Sequence, residues 1–471
     1  MLQVTDDLIR NVVQEVLVHM KSNGAAAPAR SATGNGWGVF DSVDEAVQAA
    51  VKAQEQLDAL GLDGRKKATD CIRRVCIDKA EMLGLEEFEE TKIGRLKHKV
   101  EKLVTAGEKS PGVEFLRTAV FGSMNNLTLE EFAPFGIVGT ITPVTHSLPT
   151  MANNAISMIA AGNAVVCNPH PAGARVACHG TQLFNQGIHK AIGIDNLITI
   201  IGKPTLESAQ AIFDHRDVRL LCVTGGPAVG RAALRSPKRA IVAGPGNPPV
   251  VIDETADLDN AAKSIIYGAA YDNNLLCIAE KEVFVVASIF EETMQTMTKF
   301  KAVRLNIDQI ARLTKAAFVA GEGGRLVVNK DLIGQDAAVL AKHAGISVPA
   351  DTELLFGETD ESHPFVDHEQ MMPFVPFVRC PDVEAAVELA RKYEHGFKHT
   401  AMIHSRNVDT ITRMGRALDV TIFVQNGPCT AGLGEAYLSF SIATPTGEGV
   451  TTPLTFTRVR RSTTIGSMRV I

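Results

Sequence analysis

The sequence predicts an α/β protein of more than one domain, and three observations carry that expectation. Its 471 residues exceed what one ordinary core accommodates, so two or three domains are expected. Short apolar runs alternate with helical periodicity in two separate stretches, one ending near residue 252 and one starting near Asp257. Hydrophobic residues make up 45% of the chain and charged residues only 21%, the composition of a globular enzyme with large cores.

In chain order, residues 5–20 repeat apolar residues at Leu8, Ile9, Val12, Val13, Val16, Leu17 and Met20, one stripe of a helix. Asp6 and Asp7 suit its first turn. Those acids, with Arg10 and Glu15, exclude a signal peptide. Residues 21–36 are rich in Ala, Gly, Ser and Asn and read as a flexible linker. A short amphipathic helix on a tether suggests a docking peptide; packing on its own domain or on a sister subunit is the alternative. From Val39 the chain is compact. Helices are expected over 42–60 and 63–83, and strand, turn, strand over 127–142, punctuated by Pro134 and Gly136. Helix 151–161, strand Ala164 to Asn168, helix 172–190, strand Leu197 to Ile201, helix 205–214 and strand Leu220 to Thr224 follow. That alternation implies a parallel sheet with helices on both faces. Residues 239–252 return through a strand, a Gly/Pro turn and a strand.

The second stretch comprises helix 257–270, a loop bearing Cys277, strand 281–287, helices near 290–300 and 308–318, and strand 325–328. Helix 335–344, strand 374–379, helix 382–393 and strand 400–404 complete it. The tail from Phe440 to Arg461 alternates polar and apolar residues around Gly447 and Gly449, as a strand or hairpin arm would. Its arginines, Arg458, Arg460 and Arg461, read as a solvated or subunit-facing edge.

The net charge of -6 argues against nucleic acid as a partner, since phosphate binding needs a concentrated positive face. No apolar run reaches membrane-spanning length. The eight cysteines form no CxxC and no zinc-finger spacing, which fits a reducing cytoplasm. His395, His399 and His404 straddle the Gly396 break, a poor spacing for zinc, so no metal is expected.

Cys277 ends the polar approach loop Tyr271-Asp272-Asn273-Asn274-Leu275-Leu276 just before a buried strand, with no partner cysteine nearby. Thr224-Gly225-Gly226-Pro227-Ala228-Val229-Gly230 follows a strand and opens a helix, where backbone amides can approach a phosphate. Its GGxxxG spacing is not the usual dinucleotide fingerprint, and a plain tight turn fits equally. In Gly244-Pro245-Gly246-Asn247-Pro248-Pro249 the prolines remove free amides, so it reads as a rigid turn near the active site.

Taken in order, the segments NNAISMIAAGNAVVCNPHP (153–171), VTGG (223–226), AGPGNPPVVIDETADL (243–258), DNNLLCIAEK (272–281), HTAMIHSRN (399–407), NGPCTAGLG (426–434) and ATPTGEGVT (443–451) resemble the aldehyde dehydrogenase superfamily. More narrowly, they are similar to the CoA-acylating aldehyde dehydrogenases of bacterial microcompartments. The resemblance implies an aldehyde dehydrogenase fold. A Rossmann-like cofactor domain would span 39–118 and 135–253, and a related α/β catalytic domain 254–434. A β oligomerisation arm would span 119–134 and 435–471. Residues 1–20 would form an encapsulation-type helix that binds microcompartment shell or cargo proteins, and 21–38 a linker. A homodimer or homotetramer, cytoplasmic and inside a microcompartment, is implied, without membrane or nucleic acid.

The resemblance also implies that Cys277 attacks a short-chain aldehyde, that NAD takes the hydride, and that coenzyme A removes the acyl group. Hydrolytic relatives carry a water-activating glutamate where this chain has Val242-Ala243-Gly244-Pro245-Gly246. Glu254 or Glu280 taking that role, giving a carboxylic acid, is the alternative; a catalytically idle cargo or scaffold protein is another. His399, in Lys398-His399-Thr400, is the implied acid–base partner. Thr145-His146-Ser147 stands where relatives have Asn-Pro, leaving Thr145 or His146 as the oxyanion donor. Asn168-Pro169-His170 replaces a Lys-Pro-x-Glu ribose contact, which leaves NADP open beside NAD. Glu369 matches a glutamate that holds the nicotinamide ribose.

Overall fold

A computed structural model describes residues 36–321, 325–433 and 437–466. The docking helix of residues 1–20 and nearly all of the linker lie outside the described residues.

Two parallel sheets organise the chain. The first has six strands in the order Val39–Phe40, Ile198–Ile201, Ala164–Pro169, Ile137–Thr142, Val218–Thr224 and Arg239–Ala243. Ile137–Thr142 and Ala164–Pro169 are buried at every position, as near-continuous apolar runs under helices on both faces should be. The chain reverses its direction of growth between Ile137–Thr142 and Val218–Thr224, and the crevice at the carboxyl ends of such strands is where α/β sheets bind ligands. The second sheet has seven parallel strands in the order Ala302–Arg304, Leu354–Thr359, Phe374–Cys380, Glu282–Val286, Pro249–Ile252, Thr400–His404 and Ile422–Gln425.

A third, antiparallel sheet pairs Ala119–Gly122 with Asn126–Pro134 and then with Thr457–Ile465. Arg461 pairs with Glu130 at 2.8 Å on its exposed surface, and Val120, Phe121, Val459 and Ile465 are exposed there too. Only the last part of the expected 435–471 arm joins this sheet. Residues 438–452 instead cross between the two large sheets, where Leu438 donates its N–H to the Lys109 carbonyl and Ser441 meets Thr224.

Local sequence explains most elements. Ser42 caps the helical run Val43–Asp78, with Asp44 and Glu45 in its first turn. Gly61, at φ 59° and ψ −151°, breaks that run where two helices were expected, and a further helix, Ala80–Thr91, follows. Strand Leu326–Val328 forms only an antiparallel ribbon with Phe318–Ala320, apart from the large sheet. The strands Leu354–Thr359 and Ile422–Gln425 and the helices Leu96–Lys109 and Val408–Leu418 were not anticipated. Helix Leu96–Lys109 hid its inward face because that face carries Lys99 and Lys102, both buried. Among the described residues, no helix is long and apolar enough to cross a membrane.

Asn163 joins three of these parts and uses all its hydrogen-bonding capacity. Its Oδ1 accepts from the N–H groups of Phe135 (2.8 Å) and Gly136 (3.0 Å), and its Nδ2 donates to the carbonyls of Met158 (3.1 Å) and Phe456 (2.9 Å). Asn163→Ala leaves those buried groups unpaired and is expected to cost at least about 2 kcal/mol, read as a lowered urea midpoint; an unchanged midpoint would remove Asn163 from this role.

Candidate active site

Helix Leu258–Ala270 ends in a turn, Tyr271–Asn274, whose last three residues are all left-handed: Asp272 (φ 50°), Asn273 (φ 56°) and Asn274 (φ 67°). Each such residue costs about 1–2 kcal/mol, least for Asp and Asn, whose side chains bond locally. Here every one of the three side chains is buried and bonded. Asp272 accepts from the Arg95 N–H at 2.8 Å and from Lys102 Nζ at 2.5 Å. Asn273 donates to the Gly334 carbonyl (2.9 Å) and to Asp336 (2.8 Å), and accepts from Arg95 Nε (2.6 Å). Asn274 donates to the Ala269 and Glu280 carbonyls at 2.9 and 3.0 Å.

Asp272 belongs to a fully buried ion cluster with Lys102, Lys99 and Glu87. Burial alone would raise its carboxyl, but Lys102, Lys99 and the Arg95 N–H hold it down at about 2. Lys99 and Lys102 also donate to the Thr145 carbonyl at 2.8 and 3.3 Å. One pair of lysines therefore ties the Cys277 loop to the Thr145-His146 loop at the end of strand Ile137–Thr142. His146 is buried; burial, then Lys102 and Lys99, keep its imidazole well below the ordinary range, and its Nδ1 has no partner.

The turn delivers Cys277, mostly buried, just before strand Glu282–Val286. Gly246 packs between it and His399. A Cβ there would lie 2.5 Å from the Cys277 carbonyl oxygen and 3.1 Å from the His399 ring, so no side chain fits without displacement. Burial, then Glu369, push the thiol up to about 12, while Lys281 and the N–H groups of Cys277 and Ile278 oppose the rise. His399 is buried and neutral, lowered to about 4 by burial and Lys281. Its Nδ1 is 2.9 Å from Thr400 Oγ1, and its Nε2 is the nitrogen left without a partner. Burial raises Glu369 to about 6, against the pull of Lys281 and the Gly246 N–H.

The turn Gly244-Pro245-Gly246 lies beside the Cys277 carbonyl and carries no carboxylate. Glu254 is exposed beyond the far end of strand Pro249–Ile252. Glu280 accepts the Cys429 N–H at 2.8 Å and packs against Gly268, and burial raises it to about 7. His399 and His404 sit at opposite ends of strand Thr400–His404, and His395 bonds the Asp367 carbonyl, so the three histidines do not converge.

Across the crevice, Gly226 caps helix Pro227–Arg235 without any side-chain bond, and nothing lies within 4 Å of where its Cβ would be. Open amides at a helix N-terminus fit a dinucleotide phosphate. Gly230 has a different use: a Cβ would meet Val242 at 3.1 Å, so it lets the helix pack on strand Arg239–Ala243. Thr224 Oγ1 is engaged with Ser441 Oγ at 2.7 Å. Asn168 is buried and accepts from Ser208 at 2.5 Å. Exposed His170 accepts from the Ala172 N–H and faces Lys330, not an acid. Pro169 ends the strand between them.

Residues 39–316 match the aldehyde dehydrogenase family model. The chain belongs to the aldehyde dehydrogenase family. An acetylating acetaldehyde dehydrogenase of Salmonella typhimurium is 44% identical over 468 residues, 98% of this chain and 99% of that protein. A propionaldehyde dehydrogenase of Rhodopseudomonas palustris, solved with bound CoA and an acylated cysteine, superposes with a TM-score of 0.89 at 40% identity, covering 93% of this chain and 100% of that one. A propionaldehyde dehydrogenase from a fucose-utilisation microcompartment of Clostridium phytofermentans matches with a TM-score of 0.89, 40% identity and the same coverage. Sequence reasoning about this aldehyde dehydrogenase missed Lys281, Lys99 and Lys102; the three consecutive residues Asp272-Asn273-Asn274 were the available signal for a left-handed turn.

Asp272 has a folded value below its ordinary 3.8, so its contribution to stability is present above about pH 4 and is lost as pH falls towards 2. Asp272→Asn leaves Lys102 buried without its carboxylate and Lys99 with Glu87 alone, and is expected to cost about 3 kcal/mol at neutral pH. That deficit shrinks below pH 4 in thermal melts; a constant deficit would contradict the ionised cluster.

Proposed function

We propose that this chain oxidises a short-chain aldehyde, acetaldehyde or propionaldehyde, to its acyl-CoA with reduction of NAD, reversibly. One observation carries the reading: the turn Gly244-Pro245-Gly246, packed against the Cys277 backbone and the His399 ring, offers no carboxylate to activate water. The acetylating acetaldehyde dehydrogenase and the propionaldehyde dehydrogenases that the chain resembles support it.

Cys277 is the nucleophile. Its thiolate adds to the aldehyde carbonyl and forms a thiohemiacetal, with the Cys277 N–H and Thr145 or His146 as donors to the oxyanion. NAD, when bound, would supply the hydride acceptor that the conversion of this adduct to a thioester needs. Gly225 and Gly226 hold the dinucleotide phosphate at the helix N-terminus, with Gly230 and Thr224 shaping that turn. Asn168, Pro169 and His170 line the adenine-ribose side, and Glu369 holds the nicotinamide ribose. No acid guards the ribose 2′ position at His170, so NADP is admissible. His399, neutral with a free Nε2, takes the proton of the incoming CoA thiol. The CoA sulfur attacks the thioester carbon and expels the Cys277 thiolate as acyl-CoA forms. CoA enters through the channel that the reduced dinucleotide leaves, which gives ping-pong kinetics.

Residues 39–118 and 135–253 serve the cofactor and 254–434 the chemistry. The sheet of 119–134 with 457–465 joins subunits through its exposed Val120, Phe121 and Val459. Residues 1–20 dock the enzyme to a microcompartment shell or its cargo, as the microcompartment relative suggests. Deleting them is expected to leave turnover intact and abolish shell co-sedimentation; lost turnover would place the helix in the folded core.

The direct test is product analysis with Cys277→Ala as control. Acyl-CoA should form with CoA present, and without CoA the carboxylic acid should form at least about a hundredfold more slowly. Acid produced at full rate without CoA would make this a hydrolytic enzyme, and turnover by Cys277→Ala would remove the thiol from the mechanism.

A further inference from the structure

Lys281 is fully buried at the start of the strand that follows Cys277, and neither composition nor spacing singled it out. Its Nζ donates to the Asn274 carbonyl (2.9 Å), to Asn274 Oδ1 (2.5 Å) and to the Leu276 carbonyl (3.3 Å). Three acceptors use three N–H donors, and only the charged ammonium has three. A buried ammonium normally has a carboxylate partner. Among the described residues, no carboxylate lies within ion-pair distance of this one, whereas buried Lys99 and Lys102 both have one. Its bonds go to the backbone just ahead of Cys277, and the Leu276 carbonyl belongs to the peptide group whose N–H is that of Cys277. Donation to that carbonyl polarises the peptide and strengthens its N–H as a donor.

We propose that Lys281 is a positioning residue that supports negative charge on and beside Cys277, holding the left-handed turn by its hydrogen bonds and acting as the standing counter-charge to the thiolate. The proposal rests on Cys277 being the nucleophile. The groups that face this ammonium are Cys277, Cys429, Glu280, Glu282, Glu369 and His399. Of the carboxyls, burial raises Glu280, Glu282 and Glu369 alike, which leaves the lysine's charge only partly balanced. Lys281 opposes the rise of the thiol, and Glu369 adds to it, so the two residues act with opposite sign on one sulfur.

The test is the rate of iodoacetamide alkylation of Cys277 in the full chain without cofactor, from pH 7 to 11, read by peptide mass spectrometry. Lys281→Gln keeps N–H donors and loses the charge; its profile is expected to move to higher pH, with alkylation at least about tenfold slower at pH 8, a shift of one unit. Lys281→Arg keeps the charge and should stay within about threefold of the parent. Glu369→Gln should accelerate alkylation severalfold by its own effect on the sulfur, the control that the assay reads charge beside Cys277. Where Lys281→Gln does not fold, Lys281→Arg decides the matter, because a counter-charge role requires that it stay near the parent. A parent-like profile for Lys281→Gln, or a Lys281→Arg profile slowed about tenfold or more, would overturn the proposal. These arms need no turnover. Failure of the function reading shows separately, as acyl-CoA formation by Cys277→Ala.

Discussion

The buried charge cluster of Asp272 with Lys99 and Lys102 is the constraint on which the site depends. It fixes the first of three successive left-handed residues, and the bonds of Asn273 and Asn274 fix the other two, so the turn ahead of Cys277 has one position. The cluster is not a device for stability alone, since apolar residues would fill the same volume at less desolvation cost. What it supplies is register. Helix Leu96–Lys109, the Thr145-His146 loop and the Cys277 turn meet on the same two ammonium groups, which joins the end of a first-sheet strand to the loop that leads into a second-sheet strand.

From that anchor the chemistry follows by what is present and what is missing. Gly246 lets the chain pass between Cys277 and His399 where any side chain would collide. The same turn brings no carboxylate. Glu369, the carboxyl that acts on the Cys277 thiol, faces Lys281 and the Gly246 N–H. A thioester formed in such a pocket waits for a better nucleophile than water, and a thiol is one. The resting thiol is neutral, pushed up to about 12, so its ionisation must be assisted when substrate arrives. In the proposed mechanism the buried ammonium of Lys281 assists by charge, and neutral His399 serves the later step by taking the proton of the CoA thiol.

Much of this was legible in the sequence, and the reasons differ by residue. The strands Ala164–Pro169 and Val218–Thr224 announced themselves because buried parallel strands are apolar throughout. Cys277 stood out because of the polar loop before it. Helix Leu96–Lys109 did not, because its inward positions hold lysines whose partner, Asp272, lies 170 residues away from Lys102 in the chain. No periodicity argument reaches such a pair. Leu354–Thr359 escaped for a related reason: it is short, ends in Gly-Glu-Thr, and is made a strand by neighbours on both sides. The tail was read as one arm, yet residues 438–452 leave the arm to line the crevice, and only their hydrogen bonds to Asn153, Asn154 and Thr224 reveal it.

The central claim is that an acyl group rests on one sulfur until coenzyme A removes it. Rapid quenching of the enzyme with aldehyde and NAD, followed by peptide mass spectrometry, tests this directly. The account predicts one acyl mass on the peptide bearing Cys277, stable over many turnover times and discharged in a single turnover when CoA is added. An acyl mass on another residue, or one that disappears at the turnover rate in water alone, would contradict it.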